Sequence, residues 1–389
     1  MAEVLVGQFL STEEVYSEEK VTEMNSRIKK LDPDSTQYAT MTNKVSSRAA
    51  TREKVNWLEE TLVTNVFTVD AAYTSGAATI SIGTVESNAV KVNDTLRNMR
   101  TGEAFLVKAV GANGDLTVYP SLGDMPSAAG QVGDKLLFTG SAFPQGSTLP
   151  EMKYAQRTLG YNFTQIFRTV WNFSMTATSI EYYGGREPAK EAARKTVEHK
   201  REIENNGFFG AREYQTTADP QGTAGGLIEF IVTNKQDVNG ELTADFLDQF
   251  LATVLGKGSS DKVIFTGTAG AYYLSRFNRA GQGAFWQPDN TSVHGVKVDA
   301  FISGVFGYQI PVVVKKDWSN LPSGDNGYNG CMFIVDMTNV ERRPLRDRDT
   351  KLYTNRQNPG DDRYAAEMLT EQSWEIAVER SHGLLTGIQ

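Results

Sequence analysis

The stretch Gly184-Gly185-Arg186-Glu187-Pro188-Ala189-Lys190-Glu191-Ala192-Ala193-Arg194-Lys195-Thr196-Val197-Glu198-His199-Lys200-Arg201-Glu202-Ile203-Glu204-Asn205-Asn206-Gly207 decides how this sequence reads. Two glycines precede it and Pro188 stands where a first helical turn tolerates proline, so it predicts a long helix with Asn205-Asn206-Gly207 as its stop. Eighteen residues from Pro188 would span about 27 Å. Its apolar positions, Ala189, Ala192, Ala193, Val197 and Ile203, make only a thin stripe, and lysine, arginine and glutamate cover the rest. One narrow face packs; the remainder meets water or neighbours.

Downstream, helix and strand patterns alternate from Thr243 to about Met337. Thr243 is a natural N-cap for a helix with a broad apolar face of Phe246, Leu247, Phe250, Leu251, Val254 and Leu255, ended by Gly256. Lys262–Phe265 reads as a strand, Thr268–Phe277 as a second helix, and Val296–Ile302, Ile310–Val314 and Met332–Val335 as further strands, an α/β layer of its own. Near the end, Ser373–Glu379 alternates as a half-exposed strand should.

Upstream, the pattern is different. From Phe67 to Thr139 short alternating runs are separated by turn signals, with Asn113-Gly114 the clearest hairpin, so this part predicts a small antiparallel barrel or sandwich. An extended stretch covers Ile166 to Met175. The first residues, to about Lys54, are polar and have little to bury, which reads as a loose arm or as one ordered against another chain.

The 389 residues carry a net charge of −8, 40% hydrophobic and 22% charged residues, 35 glycines and a single cysteine. That balance lacks the broad basic footprint of a sequence-independent nucleic-acid binder. One cysteine makes no disulfide and no thiolate metal cluster; Cys331 sits in an apolar run and reads as a small buried hydrophobe. Neither a secretory leader nor an apolar run of about 18 residues is present, so the expected place is the cytoplasm, with no membrane.

Dinucleotide, phosphate-loop, nucleophile-elbow, zinc-protease and calcium-loop patterns are absent. His199, His294 and His382 are far apart, each without a second ligand at metal spacing, and read as structural or surface residues. Asp347 with Asp349, and Asp361 with Asp362, read as solvated turn charges. Arg276-Phe277-Asn278-Arg279 through Phe285-Trp286 mixes basic and aromatic residues as a single-strand binder does; a loop whose aromatics pack locally fits the acidic chain better. No catalytic residue, metal or cofactor is expected.

The order of parts resembles the major capsid proteins of tailed bacteriophages, the α+β fold of the Hong Kong phage head. Asn162-Phe163-Thr164-Gln165-Ile166-Phe167, then Tyr182-Tyr183-Gly184-Gly185-Arg186-Glu187 leading into Lys200-Arg201-Glu202-Ile203-Glu204, look like the strand and spine helix of one branch. Val335-Asp336, Val340-Glu341-Arg342-Arg343-Pro344-Leu345-Arg346 and Glu379-Arg380-Ser381-His382-Gly383 look like its C-terminal part.

The resemblance implies an N-terminal arm (1–45) and an extended loop (46–176) carrying the β module at about 66–140. A peripheral domain with the spine helix (177–224), an axial domain (225–343) and a return to the peripheral domain (344–389) follow. It implies a shell-building structural protein that self-assembles into hexamers and pentamers of an icosahedral head around double-stranded DNA, contacted weakly and non-specifically. A separate scaffolding protein, no large N-terminal cleavage, a portal protein and room for a decoration protein go with it, in a virion assembled in the host bacterial cytoplasm. Trp57, Arg168, Arg194, Glu198, Arg201 and Trp286 are the residues expected at contacts between copies. A tail-tube or decoration protein is the alternative, and an enzyme of unrecognised type a remoter one.

Overall fold

The computed structural model describes residues 37–45, 47–124, 127–180, 187–216, 219–279, 285–287, 292–293, 296–297, 299–302, 307, 309–320 and 327–389. The chain forms two compact units, one of Leu58–Leu159 and one of the rest.

In the first unit six antiparallel strands run in the order Val66–Thr68, Lys135–Ser141, Asp94–Asn98, Ala104–Val110, Asp115–Tyr119 and Thr79–Ser81. A bridge between Val69 and Ile82 joins first to last, with Asp70 N donating to Ser81 O at 3.0 Å, so the sheet closes into a small barrel around Phe67, Leu96, Phe105, Val107 and Leu136. Closure removes the open edges that a lone six-stranded sheet would expose. Asn113-Gly114 makes its hairpin, where Gly114 has φ +86° and no room for a Cβ against the Ile82 carbonyl.

In the second unit a seven-stranded mixed sheet has the order Lys235–Gly240, Gly383–Ile388, Met332–Asp336, Lys262–Thr266, Gln309–Val314, Asp299–Ile302, Phe285–Gln287. Its central strands are buried on both faces, which is why Lys262–Thr266 and Met332–Asp336 read as continuous runs rather than alternations. One face packs on the helices Ala244–Leu255 and Thr268–Arg279, the other on Tyr38, Phe208, Trp318 and Trp374. Thr243 caps as expected, its hydroxyl accepting from Phe246 N at 3.3 Å. The expected strand Val296–Ile302 is two pieces, Val296–Lys297 and Asp299–Ile302, in different sheets.

The four-stranded sheet beside it pairs Arg363–Ile376 with Gln165–Ser174 along one side, and with Val340–Pro344 and Lys351–Tyr353 along the other. The helix Glu187–Phe209 lies on this sheet.

Several expectations need correction. The long helix runs through Asn205-Asn206-Gly207 to Phe209. Tertiary packing overrides the local stop signal: a Cβ on Gly207 would stand 2.7 Å from a Tyr38 ring carbon, and Asn206 donates to Gln165 Oε1 at 2.9 Å and accepts from Trp374 Nε1 at 3.1 Å. Its packed face is also offset from the apolar stripe. Ala192, Thr196, His199, Ile203 and Gly207 turn inward while Ala189, Ala193 and Val197 are exposed.

The arm is not wholly loose. Gln37–Val45 is a helix with Tyr38, Met41 and Thr42 fully buried; residues 1–36 lie outside the described residues. The late strand spans Arg363–Ile376 and is covered on both faces rather than half exposed, because arginines shield its outer side. The last strand, Gly383–Ile388, pairs into the seven-stranded sheet, and its Leu384 shares a core with Ile203 and Phe208 of the long helix.

Candidate assembly surface

The strand Arg363–Ile376 sets the geometry of the surface. Its even-numbered side chains, from Ala366 to Trp374, face the long helix; His199 sits between Thr169 and Thr370, 2.8 Å from each hydroxyl, and burial holds its pKa below the ordinary value. Its odd-numbered side chains place Glu367, Glu371 and Glu375 in a row on the opposite face, since alternate strand residues share a face.

Each carboxylate in the row meets arginine. Arg168 donates to Glu367 at 2.5 Å and Arg356 reaches its other oxygen at 2.9 Å; Arg348 meets Glu371 at 2.5 Å and Arg343 meets Glu375 at 3.2 Å. The hydrogen bond from Arg168 leads the causes that hold Glu367 below the usual carboxylate range, whereas burial pushes Glu375 up. The carboxylates are covered and the guanidinium tips of Arg168, Arg348 and Arg356 reach solvent. Spare donors on a half-exposed guanidinium suit a neighbour's carboxylates or carbonyls.

The long helix carries a second charged face. Glu198 accepts from Arg194 at 3.1 Å and from Lys195 at 2.6 Å, and the bond from Lys195 leads the causes that lower its pKa.

Two buried polar clusters hold this unit's elements together. Glu204, from the long helix, accepts from Lys315 Nζ and from the backbone N–H groups of Tyr38 and Ala39, so one carboxylate caps the Gln37–Val45 helix and neutralises a buried lysine. Burial nonetheless pushes the Glu204 pKa up. Where the chain passes between the two sheets, His382 Nδ1 accepts from Asp336 N at 3.1 Å, so Nε2 carries the proton toward Ala377 O, also at 3.1 Å. Asp336 in turn accepts from Ser259 and Asn339 and lies 3.7 Å from buried Lys262. Burial pushes His382 down to about 4.

The six residues expected at contacts between copies do not form one cluster. Arg168 lies on the carboxylate face, and Arg194, Glu198 and Arg201 on the exposed side of the long helix. Trp57 is instead buried, packed against Gly160 and, at 5.8 Å between rings, against Phe230. Trp286 lies in the edge strand Phe285–Gln287 of the seven-stranded sheet. The row of Glu367, Glu371 and Glu375 was missed, although glutamates four apart in a strand-like segment beside Arg343, Arg348 and Arg356 were a readable signal. Glu204 and Lys315 had no such signal, being 111 residues apart.

Among the described residues no group of three histidine, cysteine or acidic side chains could hold a metal ion. Asp349 is 2.5 Å from Arg342, Asp361 is 2.6 Å from Arg363, and Phe277 is buried in the helix Thr268–Arg279 rather than displayed on a loop. Open clefts of about 400 and 640 Å³ flank Lys235–Gly240. Glu204, Lys262 and His382 line neither; Cys331 lines the larger, its thiol pushed up to about 11 by burial and so protonated. No described helix is long and apolar enough to cross a membrane.

Comparison with known proteins fits this arrangement. The chain is 30% identical over 195 residues to the major capsid protein of Pseudomonas phage PaMx41, a match spanning 49% of this chain and 46% of that relative. Two solved structures share the fold. One is the capsid of a native GTA particle (TM-score 0.52, 11% identity, 97% of this chain and 98% of that one), the other a chain of Mycobacterium phage Bobi (TM-score 0.50, 9% identity, 97% and 98%). The resemblance to phage major capsid proteins drawn from the order of parts is borne out. A family model described as SU10 major capsid protein matches residues 8–389, and the chain belongs to that family.

Proposed function

We propose that this chain is the structural subunit of a tailed-phage head, assembling as hexamers and pentamers into an icosahedral shell around double-stranded DNA. The family match over residues 8–389 carries the reading. A net charge of −8 supports it, because a wall that must confine DNA gains nothing from gripping phosphate. So do the charged helix face and the arginine tips, which suit many modest contacts summed over a particle.

In this reading 1–45 is the arm, with Gln37–Val45 its docked end, and 46–176 the extended loop carrying the barrel. The helix Glu187–Phe209 and the strands Val340–Pro344, Lys351–Tyr353 and Arg363–Ile376 of the four-stranded sheet form the peripheral part, and the seven-stranded sheet, with the last strand, the axial part. A separate scaffolding protein, a portal and packaged DNA are the partners, a decoration protein is a further candidate, and assembly takes place in the host cytoplasm. The subunit works as a wall and catalyses nothing.

Expression of the full chain, alone and with the scaffolding protein encoded beside it, followed by electron microscopy, tests the reading. Closed shells are expected. Tubes would favour a tail protein, and persistent monomers that turn over a substrate would favour an enzyme.

A further inference from the structure

Among the described residues, the strand Gln165–Ser174 is bonded along one side only. Its ten register pairs with Arg363–Ile376 run without a bulge. Glu371 donates to Arg348 O and accepts from Leu345 N, both at 2.9 Å, so its backbone points away from its register partner Ile166; Ala365, partner of Asn172, likewise accepts from Arg356 N at 2.9 Å. In an antiparallel ladder that orientation alternates strictly. The N–H and C=O of Ile166, Arg168, Val170 and Asn172 therefore point outward along a stretch of about 20 Å. Among the described residues nothing bonds to them.

Edges of this kind are normally blunted by a bulge, a lysine or a proline, because they template pairing with another chain. One edge of the seven-stranded sheet is blunted in that way: Lys235–Gly240 carries Lys235 and loses register after Asp237. The edge at Ile166–Asn172 has no such guard. Its one charge, Arg168, is tied to Glu367, and Ile166 and Val170 beside it are 51% and 52% exposed.

We propose that this edge is paired, in the assembled shell, by residues Glu151–Gln156 of a second copy of the chain. The proposal rests on the capsid reading, which supplies second copies at high local concentration. Glu151–Gln156 belongs to no sheet and has a period-two pattern of its own. Glu151 and Lys153 are held within their own unit by Lys91 at 3.1 Å and Asp94 at 2.5 Å, while Met152 and Tyr154 are 78% and 74% exposed. An open edge and an unpaired segment with one apolar face are the two halves of strand addition, in which main-chain bonds supply affinity and alternate side chains supply register. Strand addition with Met152 opposite Val170 sets Tyr154 opposite a neighbour of Val170 on the same face, Arg168 or Asn172.

Val170→Pro tests the edge, because the Val170 N–H faces away from the ladder and its loss spares every described bond within the subunit. Melting close to wild type, with particle yield on a sedimentation gradient reduced at least about tenfold, is expected. Thr169→Pro, whose N–H lies inside the ladder, should instead unfold the subunit. Normal particle yield from Val170→Pro overturns the proposal. Should Val170→Pro itself fail to fold, co-expression of Val170→Cys chains with Met152→Cys chains decides, since Cys331 is buried: oxidised particles should give a disulfide-linked dimer that needs both variants. Its absence from intact particles overturns the proposal while leaving the capsid reading standing; failure of wild type to form particles defeats the capsid reading instead.

Discussion

Glu204 and Lys315 meet in the core with almost no exposed surface, and the same carboxylate caps the Gln37–Val45 helix. Removing one member of such a pair strands the other charge in a low-dielectric site, so Lys315→Met should cost about 3–5 kcal/mol in urea unfolding. Adding Glu204→Gln to it should cost much less than the sum of the single losses; strict additivity would show that the pair is not coupled. His382 makes the pH dependence. Its pKa near 4, set first by burial, lies below the ordinary value of about 6.5, so the folded state binds fewer protons than the unfolded one. Stability is then complete above about pH 6.5 and declines as pH falls toward 4, by up to about 3 kcal/mol. The urea midpoint of wild type should fall across that window more steeply than that of His382→Gln, and parallel slopes would refute the assignment. His199, lowered by burial as well, adds to the effect with the same sign.

The long helix shows what local rules miss in an element. Pro188 and the charge-rich composition identified it, yet its end and its packed face were set by contacts far away in sequence: Tyr38, Gln165, Ala224 and Trp374 hold Asn206 and Gly207 in a helix that an isolated peptide would end there. Gly207→Ala gains about 1 kcal/mol of helix propensity. It should nevertheless lower the melting temperature, because the new methyl has no room against Tyr38 and Trp374 and overpacking costs about 1–3 kcal/mol. The exposed face answers to assembly instead. The double reversal Arg194→Glu with Glu198→Arg keeps the ion pair four residues apart but inverts what a neighbour meets, and sets like charges beside Glu191 and Lys195 at a cost of a few tenths of a kcal/mol. Melting should barely change while particle yield or salt tolerance falls; unchanged particles would remove this helix face from the contact surface. The strand Arg363–Ile376 makes the complementary point: only the alternation of its end, from Ser373, was read from the sequence, and the arginines that cover its outer face arrive from other segments.

At the scale of the whole molecule, two compact units imply two folding units. The Leu58–Leu159 unit has its own buried cluster and a closed sheet, so that fragment expressed alone should be a cooperative β protein by circular dichroism and thermal melting. A fragment without a sharp transition would show that the barrel depends on the rest of the chain. By itself the sequence determined what is local: the Thr243 cap, the Asn113-Gly114 hairpin, the doubly buried strands, the absence of catalytic patterns, and an order of parts specific enough to suggest a capsid protein. These depend on spacing within a few residues, where propensity, turn chemistry and hydrophobic period act directly. Only the tertiary structure decided that Gln37–Val45 docks on the core, that the last strand inserts beside Met332–Asp336, that Trp57 is buried, and that one edge of the four-stranded sheet is unpaired among the described residues. Each of these turns on partners brought together from more than 40 residues apart, through burial and backbone pairing that no local pattern encodes.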